Sequence, residues 1–349
     1  MQNGYNMKRN LSFIKKEFLH ILRDSRTMLI LIGMPIVQIL LFGFAISTEI
    51  KDINLGVVFS DYKEQDRQLI RKIDANEYFT VVDSYRNIDE AEDLMKKGKL
   101  DVILNFYDNQ IQVIVDASNP NISSSEQLYL QQIVEPNTNS SLKMLYNPQM
   151  LSSYNFVPGI LGLIMIIICA MMTSVSIVRE KELGTMEVLL VSPLNRFTIV
   201  LSKMVPYFCL SVLNLFIILL LSRFLLKVPL AGSLFWIVAI SIIYILLALA
   251  LGLLISTIVQ TQIAAMLSSA MLLLLPILLL SGMIFPLESA PEFFRWFSGI
   301  IPAKWYVSAM KKLMVEGLNI KFVLKELAIL SFMTLALVGL ALSNFKKRL

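Results

Sequence analysis

Six long apolar runs, separated by polar segments, set the pattern of the chain. A helix needs about 20 apolar residues to cross the roughly 30 Å hydrocarbon core of a bilayer, and each run is close to that length. Within the predicted bounds, no run contains Asp, Glu, Lys, Arg or His. The pattern predicts an α-helical polytopic membrane protein with six transmembrane helices, at residues 28–47, 156–178, 204–222, 233–256, 263–285 and 327–343.

A long polar stretch, residues 48–155, separates the first two predicted spans and is patterned like a soluble domain. Helical patterns cover 63–75 and 123–134, and Asp89 is the predicted N-cap of a further helix that closes at Gly98. The stretch therefore predicts an α/β domain inserted between transmembrane helices 1 and 2. Its four strands are predicted at 53–59, 78–82, 100–106 and 110–115.

The N-terminal segment, residues 1–27, contains an amphipathic helix. Its apolar face is formed by Leu11, Ile14, Phe18, Ile21 and Leu22, with Lys15 and Lys16 off that face. Two interpretations stay open: a helix lying in the inner membrane interface, or a cytoplasmic helix packed on its own protein. The direct continuation into the first span favours the interfacial helix.

Charge distribution sets the predicted orientation. Only 16% of the residues are charged, against about 25% in soluble domains, and the net charge of +5 is concentrated beside apolar runs. This pattern indicates membrane surface rather than nucleic acid. The basic excess before the first span, in 179–203 and in 346–348 places both termini in the cytoplasm and the 48–155 domain outside it. The remaining five spans occupy 156–349.

One segment disagrees with this orientation. Residues 286–326 are basic, although the number of spans places them on the extracytoplasmic side. The segment is also rich in aromatic residues suited to the headgroup level, and Pro286, Pro291 and Pro302 divide it. We therefore expect this segment to form short pieces that are partly held at the membrane interface.

The residues that could carry chemistry are few. Spans without ionisable groups argue against proton or sodium coupling, because such groups usually carry the coupling ion. The same spans lack the base or metal ligands that an intramembrane enzyme needs. Cys169 and Cys209 lie in apolar runs, as buried thiols do, and no phosphate-binding loop Gly-x-x-x-x-Gly-Lys-Ser/Thr occurs. If ATP drives the protein, another polypeptide must bind it.

The most informative segment is 179–194, directly after the second predicted span. It begins with charged residues, continues with a helical face of Leu183, Met186, Leu189 and Leu190, and ends at Ser192-Pro193. Such an element on the cytoplasmic side can dock a soluble partner. A helix lying on the membrane surface between two spans has the same pattern, and physical reasoning alone leaves both interpretations open.

The run Arg-Glu-Lys-Glu-x-Gly-Thr-x-Glu-x-Leu-Leu-Val-Ser-Pro-Leu in 179–194 resembles the signature of ABC type-2 exporter permeases. Residues 115–120 are similar to the end of a strand in that family's extracytoplasmic domain. Residues 280–291, with Ile301-Pro302 and Glu316-Gly317, are similar to its exit from the fifth span. The resemblance covers nearly the whole chain and is closest to multidrug-efflux permeases with a large domain after the first span.

The resemblance implies a permease that acts as a dimer, with a second copy or a paralogue, and pairs with two ATPase subunits. Those subunits would bind ATP and Mg²⁺, so this chain needs no cofactor or metal of its own. Segment 179–194 would be the coupling helix, and the N-terminal helix would also touch the ATPase. Short helices in 286–320 would dip back into the outer leaflet. The implied coupling residues are Arg179, Glu180, Lys181, Glu182, Gly184, Thr185, Glu187 and Pro193.

The resulting hypothesis is a permease subunit in a bacterial cytoplasmic membrane, not itself an enzyme, that exports an amphipathic or lipid-like compound. Membrane lipids are expected partners, a periplasmic adaptor is a further candidate partner, and no nucleic acid is expected. The alternative is a non-transporting membrane anchor whose 48–155 domain binds a cell-envelope partner.

Overall fold

The computed structural model describes residues 2–45, 53–59, 64–76, 79–107, 110–115, 152–185, 196–283, 287 and 290–348. The chain divides into two compact units, one of Met1–Ser47 with Ser152–Leu349 and one of Thr48–Leu151. Predicted helix 123–134 and the 116–120 part of the strand-end motif lie outside the described residues.

In chain order the helices and strands are α1 Gln2–Arg23, α2 Ser25–Ala45, β1 Ile53–Phe59, α3 Glu64–Asp74, β2 Phe79–Tyr85, α4 Ile88–Lys96, β3 Val102–Tyr107, β4 Gln110–Val115, α5 Ser152–Glu182, α6 Arg196–Phe224, α7 Leu234–Ile258, α8 Gln262–Leu280, α9 Glu292–Ser298, α10 Pro302–Met310 and α11 Leu324–Arg348.

The larger unit is a bundle of long apolar helices. By length and composition, five helices within the described residues can cross a membrane, and they coincide with α5, α6, α7, α8 and α11. The predicted class, a multi-pass helical membrane protein, is confirmed. Residues 28–45 of the first predicted span lie in α2, where the apolar stretch found within the described residues, Leu31–Leu41, is shorter than a full crossing. The sixth transmembrane helix therefore stays a prediction.

Helices α5 and α7 form the centre of the bundle. Tyr244 of α7 and Tyr306 of α10 stack with ring centroids 4.0 Å apart. The Tyr244 hydroxyl donates to the Gly162 carbonyl of α5 at 3.0 Å, and the Tyr306 hydroxyl lies 2.8 Å from Ser241 Oγ. Each buried hydroxyl has a partner, so this aromatic pair fixes α5, α7 and α10 together without leaving unsatisfied phenol groups.

Two helices of the structure begin several residues before the apolar runs from which their spans were predicted. Helix α6 starts at Arg196 and α11 at Leu324, so Lys203 and Glu326 lie inside the helices and are buried. The predicted bounds, 204–222 and 327–343, stay free of ionisable residues, but the helices themselves start earlier and include these two. Both charges are paired: Lys203 with acids described below, and Glu326 with Lys312 at 2.6 Å. Pairing offsets the desolvation that would otherwise exclude them.

The kink residue of α2 has a specific partner in α6. Pro35 has no N–H, so the carbonyl of Leu31, four residues earlier, loses its usual helical hydrogen bond. Asn214 supplies the missing donor: its Nδ2 lies 2.9 Å from Leu31 O, and both residues are buried. A polar side chain within an apolar helix therefore satisfies a backbone group that the proline leaves free.

We expect Asn214→Leu to destabilise the chain by about 0.6–1.7 kcal/mol, the range of buried hydrogen bonds between membrane helices. In a Pro35→Ala background the same change should cost much less, because the introduced alanine has a backbone N–H that can itself donate to Leu31 O. Unfolding by denaturing detergent, measured on the wild type, both single variants and the double variant, gives the coupling energy. Equal costs of Asn214→Leu in both backgrounds would contradict the assignment.

The smaller unit contains a four-stranded mixed sheet in the order β2-β1-β3-β4. Strand β1 is parallel to β2 and β3, and β3 pairs with β4 antiparallel. Its central strand β1 has the predicted residues and is largely buried, as a strand covered on both faces must be. The predicted N-cap of α4 was wrong. Asn87 caps the helix by accepting from Asp89 N at 3.3 Å, while Gly98, with φ of 67°, closes it as expected.

Candidate functional site

The candidate site lies where α5 ends and the predicted coupling segment begins. Helix α5 has 31 residues, so at 1.5 Å per residue it is about 46 Å long, well beyond the roughly 30 Å of hydrocarbon. Its last hydrogen bonds run from Leu183 N to Arg179 O at 3.0 Å and from Gly184 N to Lys181 O at 3.1 Å. Gly184 has a φ of 70°, a conformation that favours glycine and reverses the chain.

Glu180 joins α5 to two other helices through one lysine. Lys203 Nζ of α6 lies 2.9 Å from Glu180 Oε1 and 3.3 Å from Glu17 Oε2 of α1. The side chains of Lys203 and Glu17 are only 4% and 7% exposed, so these charges interact with little screening. We call Glu17, Glu180 and Lys203 the Lys203 junction.

The Thr185 hydroxyl supports the same carboxylate from the other side. It contacts Glu180 Oε2 and also lies 3.3 Å from the Glu180 carbonyl oxygen. Because Thr185 follows the Gly184 reversal, this contact returns the chain onto the last turn of α5. The start of the predicted coupling segment is therefore bonded to the Lys203 junction through Thr185.

The next two charged residues reach two further helices. Lys181 Nζ donates to Ser256 O, in the last turn of α7, at 2.6 Å. Glu182 Oε2 accepts from both the backbone N and Nε2 of Gln262, the first residue of α8, each at 3.0 Å. A cation at a helix C-terminus and a carboxylate at a helix N-terminus both complement the helix dipole. Three consecutive residues of α5 thus bind α6 with α1, α7 and α8.

The predicted coupling residues divide into two groups. Glu180, Lys181 and Glu182 point at helices of their own chain. Gly184 and Thr185 are exposed at the turn, as is the neighbouring Leu183, and Arg179 and Glu182 are exposed near the end of α5. Glu187 and Pro193 lie outside the described residues. The role of all eight in binding an ATPase stays a prediction.

Sequence analysis did not assign Glu17, Lys203 or Gln262 to this site, and these residues complete its contacts. One signal for Glu17 was present: it lies three residues after Ile14 and four before Ile21, on the apolar face of the amphipathic helix. A carboxylate on such a face needs a buried partner. Within the described ranges, no three His, Cys, Asp or Glu residues are grouped so that they could hold a metal ion.

These features define a class: a multi-pass helical membrane protein in which the end of one long helix is joined to four neighbouring helices by charged side chains. The profile of the ABC-2 family transporter proteins matches residues 26–343. The chain belongs to this family and is a permease of the ABC-transporter type.

Relatives support the same assignment along nearly the whole chain. The chain is 31% identical to the Probable multidrug ABC transporter permease YbhS of Escherichia coli K12, over 96% of each protein. It is 27% identical to the Probable multidrug ABC transporter permease YbhR of the same organism, over 97% of this chain and 98% of that protein. ABC transporter G family member 20 of Dictyostelium discoideum is 26% identical over 96% of this chain, which spans 52% of that longer protein.

Proposed function

We propose that the chain is the membrane subunit of an ATP-driven exporter that moves an amphipathic or lipid-like compound out of the cytoplasm. ATP and Mg²⁺ would be bound by a separate ATPase subunit. The observation that carries the proposal is the arrangement at the end of α5, where three consecutive charged residues each bind a different part of the bundle. Membership of the ABC-2 family supports it, because permeases of this family imply an ABC ATPase partner.

The arrangement gives a physical route for force. A soluble subunit that binds the exposed turn at Leu183–Thr185 and the segment after it would push on α5 directly. Glu180, Lys181 and Glu182 would transmit that displacement to α6 and α1, to α7 and to α8. Side chains held by charge-assisted hydrogen bonds resist relative sliding better than apolar contacts do, because their geometry is directional. The bundle would then move as linked helices.

The chemical class of the cargo is inferred from the side chains of the spanning helices. Helices α7 and α8 contain no Asp, Glu, Lys, Arg or His between Leu234 and Leu280, so a route beside them suits an apolar or amphipathic compound. The printed names of the E. coli relatives describe multidrug permeases, which agrees with such a cargo. Two permease chains would form the path between them, with α2 as the sixth span.

In the same proposal, the end of α5 faces the cytoplasm, where the ATPase is, and both termini lie on that side. The basic residues around this end support the orientation. The α/β unit that contains β1–β4 would then lie outside a bacterial cytoplasmic membrane.

A substitution on the exposed turn should separate ATPase binding from folding. Leu183 is 63% exposed in the free chain, so Leu183→Asp should leave the unfolding temperature within about a degree, as surface changes usually do. It should weaken binding of the co-expressed ATPase by about tenfold or more, because an apolar contact would be replaced by a desolvated charge. Binding and ATP turnover of the purified pair are the measurements.

Leu225→Asp is the matched control, since Leu225 is also an exposed leucine just beyond a helix end, at the end of α6. It should leave ATPase binding unchanged. The docking role of the turn is wrong if both variants bind the ATPase like the wild type. If no ATPase co-purifies from native membranes while the α/β unit captures an envelope protein, the anchor function replaces the exporter.

A further inference from the structure

Strand β2 lies at one edge of the sheet formed by the described strands, and two of its backbone donors are occupied by acidic side chains. Among those strands, in the order β2-β1-β3-β4, β2 pairs with β1 alone. Val81 N donates to Oδ1 of Asp74, the last residue of α3, at 3.2 Å. Ser84 N donates to Asp83 Oδ1 at 2.8 Å. These two N–H groups therefore have partners outside the sheet.

The two donors belong to the outer side of β2. The N–H groups of a strand point alternately to its two sides, so Phe79 and Val81, two residues apart, share a side. Val82 is an extra residue without a partner in β1, and it shifts the alternation by one, which puts Ser84 on that side as well. Phe79 N also has a local partner, Asn76 O, at 3.3 Å. Positions 79, 81 and 84 therefore offer no backbone donor to another strand.

Without these contacts the β2 edge would be suited to pairing with another chain. Val82, Asp83 and Ser84 are exposed, with Val82 at 49%. Three consecutive β-branched residues, Thr80, Val81 and Val82, favour a strand conformation. An exposed strand with free N–H groups is a template to which a strand of a second molecule can add. The β2 edge therefore needs protection of its own.

We propose that Asp74 and Asp83 keep β2 closed to strand addition, so that the α/β units of two copies of this chain do not join through their sheets. Each carboxylate occupies a backbone donor that a second copy of β2 would need for pairing. The extra residue Val82 contributes by twisting the edge between the two capped positions. A second copy or an envelope protein that binds the α/β unit must therefore use a different surface.

Removing both carboxylates should open the edge. Asp74→Ala with Asp83→Ala should make the full chain associate in detergent about tenfold or more tightly than the wild type, because two donors of each copy can then bond to the other copy. Molar mass by light scattering, over a range of protein concentrations, measures the association. Both positions are exposed, so the unfolding temperature should stay close to that of the wild type. An unchanged association constant would overturn the proposal.

Two matched double variants separate capping of the N–H groups from charge repulsion. Asp74→Asn with Asp83→Asn removes both charges but keeps an Oδ1 acceptor at each position, so it should associate no more than the wild type. Asp89→Ala with Asp93→Ala removes two exposed acids from α4 of the same unit and should also have no effect. If either control associates like the alanine variant at the edge, net charge keeps the units apart and the capping assignment is wrong.

A proline localises the association to β2. Ser84→Pro removes an outer N–H group altogether, and an edge strand tolerates proline where the N–H faces away from the sheet. Added to Asp74→Ala with Asp83→Ala, it should return the association towards that of the wild type. Association that persists with the proline would come from another surface and would overturn the edge assignment. No ATPase or cargo is present in any of these measurements, so their outcome is independent of the proposed export function.

Discussion

Lys203→Met should destabilise the chain by about 3–5 kcal/mol, the usual cost of removing one partner from a buried ion pair. The variant would leave Glu17 and Glu180 facing each other without the cation that separates them, and the Glu17 side chain is only 7% exposed. Both carboxylates would have to be rehydrated or protonated, at the expense of the contact between α1 and the bundle. Unfolding by denaturing detergent or by heat in a mild detergent measures the loss.

Two variants test whether the loss of stability comes from the buried, unpaired carboxylates or simply from the removal of a positive charge. Lys16 also pairs with Glu17, at 3.3 Å, but its side chain is 58% exposed, so Lys16→Met should cost only about 0–1 kcal/mol. The triple variant Glu17→Gln, Glu180→Gln, Lys203→Met removes all three charges and should recover much of the stability, because no buried charge is left unpaired. A Lys203→Met variant as stable as Lys16→Met would mean that the junction is hydrated and contributes little.

The spanning helices were predictable because the bilayer imposes one length on all of them. Helix α7, Leu234–Ile258, differs by only one or two residues from the predicted 233–256. The start of α6 was not predictable in this way. Its apolar run begins after Lys203, whereas the helix starts at Arg196, and Lys203 is paired there with acids from distant parts of the chain. Hydropathy measures the transfer of single residues and contains no information about such partners.

In the candidate site, too, local sequence identified some residues, whereas their partners could be found only from the fold. The charged run after the second span identified Glu180, Lys181 and Glu182 as residues of interest, and the family resemblance gave them one role, that of facing an ATPase. Their contacts within the chain depend on residues far away in sequence, since Glu182 and Gln262 are 80 positions apart. Only the fold brings these residues together. An acid on the apolar face of α1 was the one local sign that a buried partner existed.

Small residues on α7 were a further sequence signal, in this case for close helix packing. Their periodic spacing contains this signal, whereas hydropathy does not. Ala248, Gly252 and Ser256 recur every four residues, the spacing that lets two membrane helices approach closely. In the structure all three are buried, and Gly252 lies against the backbone of Ala170 in α5. The spacing could have predicted a close contact, although not which helix would make it.

Gly252→Ala should destabilise the chain by about 2 kcal/mol, within the range for overpacked cores. A Cβ at this position would lie 2.3 Å from Ala170 O and 2.9 Å from its Cα, both backbone atoms of a helix that cannot yield as a flexible side chain can. Helices α5 and α7 would have to move apart, which would also strain the Tyr244 contact with Gly162. The measurement is again the free energy of unfolding in detergent.

Gly339→Ala provides the comparison, because Gly339 also lies within a spanning helix but has no atom within 4 Å of an added Cβ. There the change should stabilise by up to about 1 kcal/mol through helix propensity, so the two substitutions should have opposite signs. Adding Ala170→Gly to Gly252→Ala should not rescue stability, since the clash is with the carbonyl of residue 170 and not with its methyl group. Rescue by that second change would show that side-chain volume, not backbone proximity, sets the distance between α5 and α7.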